Sequence, residues 1–121
     1  MANTFKVVTF AAEPASAGTP YVMYTVASST TAVVLGLVLS NINTTAVTAE
    51  VELVSTTSSR GGANNVANGT SFLIKDVSIP TGSSLEILSG GKVVLEAGDK
   101  IQIDCSVADK LSGTLSIMEI T

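Results

Sequence analysis

Histidine and tryptophan are absent from this chain, cysteine occurs once, at Cys105, and arginine once, at Arg60. The first absence removes the commonest general base and the commonest zinc or iron ligand. A single cysteine excludes an intrachain disulfide and any multi-cysteine metal site. With Lys and Arg together numbering 6 against 10 acidic residues, for a net charge of −4, no basic stripe exists to neutralise phosphates, so nucleic acid is not an expected partner. Charge of either sign is scarce: 13% of residues, against about 25% in ordinary soluble proteins. Mean hydropathy is correspondingly high, at +0.49. Yet a long apolar run is also missing. The longest, AVVLGLVL at 32–39, falls well short of the roughly 18 residues a membrane helix needs, and no membrane association is expected. The N-terminal stretch lacks a charged segment followed by a long apolar one, which argues against a secretory signal and for synthesis and folding in a cytoplasm.

What is present is alternation. In TAVTAEVEL, Val47, Ala49, Val51 and Leu53 fall on one side and Thr48, Glu50 and Glu52 on the other, the pattern of a half-buried strand. DKIQIDCSV repeats it, with Ile101, Ile103, Cys105 and Val107 together, which makes Cys105 a small core residue. Further strands are expected at NTFKVVTF, YVMYTVA, AVVLGLVLSNI, SFLIKDVSI, SLEIL, KVVLE and TLSIMEI. Turn chemistry separates them. Pro80-Thr81-Gly82 suits a turn with proline in second position, Ser89-Gly90-Gly91 a hairpin, and Glu96-Ala97-Gly98-Asp99 a turn with glycine at positive φ. Eight to nine short strands and no sustained helical period imply one all-β domain over residues 1–121. The expected fold is an antiparallel β-sandwich, jelly-roll or immunoglobulin-like, with 1–19 as an N-terminal strand or arm beyond the loop AAEPASAGTP.

Two strands are apolar on both sides. Alternation in the 32–42 segment places Val33, Leu35, Leu37 and Leu39 on one face and Val34, Val38 and Ile42 on the other; near the C-terminus Leu115 and Ile117 oppose Met118 and Ile120. Strands apolar on both faces need cover on both. A neighbouring molecule is the expected cover, with the N-terminal segment or a register-shifting bulge in the last strand as alternatives. Val34, Val38, Ile42, Met118 and Ile120 are therefore candidate interface residues. Arg60 joins them from the long polar loop 55–71.

Candidate chemistry is thin. Cys105 has no histidine partner and reads as a buried, inert thiol. Glu50 with Glu52, or Asp99 with Asp104, could in principle form an acid–base pair, but most of these carboxylates are predicted to face solvent. Asp99, Asp104 and Asp109 do not form a clustered calcium loop, and the Gly61-Gly62 and Gly90-Gly91 doublets lack a phosphate-loop lysine and helix. Asn43-Thr44-Thr45 and Asn68-Gly69-Thr70 match the glycosylation acceptor pattern, which has no meaning without secretion. The five aromatic residues are too scattered for a sugar platform. No catalytic, cofactor or metal site is expected.

The stretches YVMYTVASSTTAVVLGLVLSNINTTAVTAEVEL, FLIKDVSIPTGSSLEIL, GGKVVLEAGDKIQI and SIMEIT, in that order, resemble small structural proteins of tailed-phage virions, cyanophages in particular. The resemblance implies a non-enzymatic β-sandwich subunit of the particle. Within it, the expectation is a head decoration (cement) protein on the capsid surface, bound to the major capsid protein or other virion proteins and itself a homo-oligomer, such as a trimer. A neck, tail or baseplate subunit is the alternative inside the virion, and a receptor- or carbohydrate-binding module is the alternative of another class.

Overall fold

A computed structural model describes residues 2–55, 69–88 and 90–121. Within them lie nine strands and no helix: β1 (Asn3–Glu13), β2 (Tyr21–Thr25), β3 (Thr31–Asn41), β4 (Val47–Val54), β5 (Thr70–Ile79), β6 (Ser84–Glu86), β7 (Val93–Leu95), β8 (Lys100–Cys105) and β9 (Leu111–Ile120). Each falls on a segment whose apolar spacing or β-branched content predicts a strand. Arg60 and most of the 55–71 loop, with Gly61-Gly62 and Asn68, lie outside the described residues.

The strands form two antiparallel sheets, one ordered β1-β9-β3-β6 with β7 also on β3, the other β2-β8-β4-β5. This order decides between the two expected topologies. In an immunoglobulin sandwich the first two strands share a sheet; here β1 and β2 lie in different sheets, and the chain crosses between layers in the double Greek-key manner of a jelly roll. Leu37, Leu39, Leu111, Leu115 and Ile117 from the first sheet meet Val47, Val51, Ile79, Ile101 and Ile103 from the second in one fully buried core. Cys105 is in it too, and burial pushes its thiol pKa up, in keeping with an inert thiol.

The predicted alternation holds in β4 and β8, where one face is polar. It fails in β3. The register with β9 slips between Val34 and Gly36, so an extra residue enters the strand and the apolar faces exchange from there on. Ala32, Val34, Leu37 and Leu39 all point into the core, whereas Val33, Leu35 and Val38 are half-buried on the outside. Val34, at 1% exposure, is thus a core residue and not an interface candidate. The bulge lies in β3, since β9 pairs with β1 in unbroken register from Asn3↔Ile120 to Phe10↔Gly113. That pairing also makes 3–10 an integral strand of the sheet, not a detachable arm, and leaves the outer face uncovered by it.

Three local readings change as well. Ser83 N donates to Pro80 O at 3.2 Å, which puts Pro80 in first place in its turn, with Gly82 at φ 71 as the positive-φ residue. Gly90 does not close a β6–β7 hairpin, because β6 and β7 pair with successive stretches of β3 and not with each other. Asp99 is an exception to the expectation that most carboxylates face solvent, being buried: its carboxylate accepts the Glu96 N–H at 2.9 Å across the turn in which Gly98 adopts φ 89. Asn41, also buried, uses both amide hydrogens and its amide oxygen. Nδ2 donates to Thr45 O at 3.0 Å and Ile79 O at 2.9 Å, while Oδ1 accepts from Asn43 N at 2.7 Å, tying the end of β3 to the end of β5.

Candidate interaction surface

The two outer faces of the sandwich differ in kind. On the four-stranded sheet, Glu50 stands opposite Asp104, Glu52 opposite Gln102 and Val54 opposite Lys100. Glu52 accepts a hydrogen bond from Gln102, and Glu50 is paired with Lys75 at 3.1 Å. The centre of this face is polar and solvated, with Val22 beside Gln102 and Phe72 beside Glu52 exposed at its margins. On the other sheet the lateral register lines up Phe5 with Met118, Met118 with Val33, and Val33 with Val94. One apolar row therefore crosses four strands, β1-β9-β3-β7, at the roughly 4.8 Å spacing of adjacent strands.

Exposure within the row is high at its ends. Phe5 is 72% exposed and Val94 62%, and Val7, two residues along β1 on the same face, is 64% exposed. Met118 and Val33, between them, are half-buried, as are Leu35 and Ile120 beside the row. None of these four packs against the core cluster; their partial burial comes from neighbours on the outer face. Contiguous exposed hydrocarbon of this kind marks contact sites on soluble proteins.

Met118 and Ile120 are thus where the two-faced pattern of the last strand predicts. Val38 is on the same sheet face but apart from the row, flanked by Thr114 and Glu86. Ile42, 47% exposed, follows the far end of β3 and does not join the row. Phe5, Val7 and Val94 were not singled out by sequence reasoning. Each looks like a core residue of its own strand, and only the cross-strand register reveals the row.

A cleft of about 220 Å³ is lined by Gly18, Thr48, Glu50, Asp76, Asp104 and Ser106, among others. Asp104 Oδ1 accepts the N–H groups of Gly18 at 3.1 Å and Cys105 at 2.8 Å, and Glu50 holds Lys75. Asp99 and Asp109 flank opposite ends of β8. Among the described residues no three His, Cys, Asp or Glu side chains gather as a metal site would require. Tyr21 packs edge-on against Phe10 at 5.4 Å between centroids, and both tyrosines pack on the core.

One ionic cluster bridges the sheets at an end of the sandwich. Glu119 accepts a hydrogen bond from the Tyr24 hydroxyl at 2.6 Å and pairs with Lys6 at 2.8 Å. These two partners, Lys6 first, hold the Glu119 carboxyl below the usual 4.5. Burial, and then the carboxylate itself, push the Tyr24 pKa up, so the phenol stays a donor at neutral pH. A carboxyl whose pKa is depressed by folding stabilises the fold above its unfolded value and loses that contribution as pH falls through its folded value. Glu119→Gln is accordingly expected to be less stable than the parent at pH 7, with the difference in urea midpoint closing below about pH 4.5. A constant gap down to pH 2.5 would mean that the carboxylate's charge is immaterial.

No family model matches the chain, and no curated protein does. Among solved structures it is similar to a chain from Bacillus endospore appendages, described as a novel family of disulfide-linked pili. The two are 18% identical, with a TM-score of 0.47, and the match covers 99% of this chain and 87% of that one.

Proposed function

We propose that this protein is a non-catalytic structural subunit that docks into a larger assembly through the outer face of its β1-β9-β3 sheet, and that the assembly is a phage particle, with the subunit acting as a head decoration protein. The observation that carries the docking reading is the Phe5–Met118–Val33–Val94 row, apolar across four strands, whereas on the opposite sheet the exposed Val22 and Phe72 are separated by Gln102 and Glu52. Its support for the virion is the resemblance carried by the segments from Tyr21 onward.

The physics of the role is simple. A subunit that binds only the completed shell stabilises that shell by its own binding free energy. An interface of about 800 Å² per partner is the ordinary size for a stable contact. The scarcity of charge follows from the same cause, since a face buried in an assembly has no use for solvating groups.

Location tests the proposal. Quantitative mass spectrometry of separated heads and tails is expected to find the protein on heads in hundreds of copies and absent from tails. Recovery with tails alone would transfer the role to the neck, tail or baseplate, and absence from purified particles would end the virion reading.

A further inference from the structure

The four sheet edges are not equally defended. β5 carries Lys75 and Asp76, has Asp76 at φ 51, and twice slips register against β4. β2 is five residues long and bulged, and β6 and β7 are three residues each. Such devices, namely charge, bulges and shortness, are how proteins prevent strand-to-strand association. β1 is neither short nor bulged between Asn3 and Phe10, where its register with β9 is unbroken. Its one charge there, Lys6, is held by Glu119 at 2.8 Å, so an arriving strand does not meet a bare ammonium.

The free edge can be identified residue by residue. Ala2 and Thr121 exchange both backbone hydrogen bonds, at 3.2 and 3.0 Å. Antiparallel ladders alternate bonded and non-bonded pairs, so Thr4, Lys6, Val8 and Phe10 point their N–H and C=O groups at β9. Asn3, Phe5, Val7 and Thr9 point theirs away from it. No other described strand pairs with β1. Those residues also carry the end of the apolar row, at Phe5 and Val7.

We infer that β1 pairs antiparallel with β1 of a second copy across a two-fold axis at Val7, joining the two five-stranded sheets into one. The register follows from charge and edge geometry. Residues whose groups face outward must meet residues of the same kind, and a centre at Lys6 would set lysine against lysine, which is unfavourable. Centring on Val7 sets Lys6 against Val8 and Phe5 against Thr9, and extends the apolar face across the junction. The outward edge from Asn3 to Thr9 is about 20 Å long at about 3.4 Å per residue. A two-fold contact closes on itself, so it yields a dimer and not a fibre. The inference concerns the edge of β1, whereas the proposed function rests on the face of the sheet, and it holds whatever assembly the subunit joins.

The test uses the full-length protein. Sedimentation equilibrium is expected to give a dimer, and Val7→Cys to crosslink with itself on mild oxidation, since Cys105 is buried. Phe5→Cys, which faces Thr9 of the other copy, crosslinks at least about tenfold more slowly, because its sulfurs are held beyond disulfide reach. Val7→Pro removes an N–H that β9 does not use and is expected to abolish the dimer. A parent that is monomeric at 100 µM, or Val7→Cys and Phe5→Cys crosslinking alike, would overturn the inference, as would open-ended fibres through β5. None of these results bears on whether the protein docks into particles through the face of the sheet, so the two proposals fail separately.

Discussion

Gly113→Ala is expected to destabilise the isolated protein by about 2–3 kcal/mol, the upper part of the range for forcing atoms into a filled core. A Cβ at Gly113 would lie 2.3 Å from Cε2 and 2.6 Å from Cζ of Phe10, which is directly opposite it across the β1–β9 ladder. The Phe10 ring is in the core and braced edge-on by Tyr21, so it yields only by breaking that contact and leaving its own site. Leucine at position 10 ends short of both clashing atoms. Phe10→Leu should therefore cost stability alone and return part of it in the Gly113→Ala background, a coupling of about 1 kcal/mol or more in a double-mutant cycle. Additive urea midpoints would show that ring and glycine do not meet.

The second large effect separates two neighbours on β9. Ile117 is fully buried in the core, and Met118, the next residue, is on the outer face. Ile117→Ala is expected to cost about 2–5 kcal/mol of folding stability through lost burial and the cavity left behind. Met118→Lys is expected to leave the fold within about 0.5 kcal/mol, as surface changes do. In assembly the order reverses. A lysine at the centre of the row must be desolvated without a partner, and hot-spot losses of about 2–4 kcal/mol are typical of interface centres. That corresponds to a fall in incorporation of roughly 30-fold or more, while Ile117→Ala protein that remains folded binds as before.

These expectations depend on features of uneven legibility. All nine strands coincide with segments whose apolar spacing or β-branched content announces them, and in β4 and β8 the polar face also fixes which side is inward. In β3 both faces are apolar, so alternation carries no sign of direction, and a single extra residue at Leu35 exchanges them without any local marker beyond Gly36. Val34 was misplaced for that reason. Met118 and Ile120 were legible because the strand that carries them has Leu115 and Ile117 to define its inner side. Phe5, Val7 and Val94 were not. Their significance is a matter of which strands lie side by side, and the pairing of residue 5 with 118 spans nearly the whole chain. The same non-local pairing makes the expected N-terminal strand an edge strand on β9, where the sequence left strand and arm both open, since the loop at 11–20 speaks only of a break and not of where the preceding strand goes. Arg60 lies outside the described residues, and its candidacy stands where the sequence left it.

Met118 also offers the most direct test of the central claim, that hydrocarbon left on the outer face of the β1-β9-β3 sheet is covered by another molecule at work. Peroxide oxidation followed by peptide mass spectrometry reads the exposure of its sulfur, and Met23, buried in the core at 6% exposure, serves as an internal reference. Oxidation of Met118 is expected to be rapid in the dissociated subunit and slowed at least about tenfold in the native assembly, approaching the rate at Met23. Equal rates at Met118 in the free and assembled states would contradict the account.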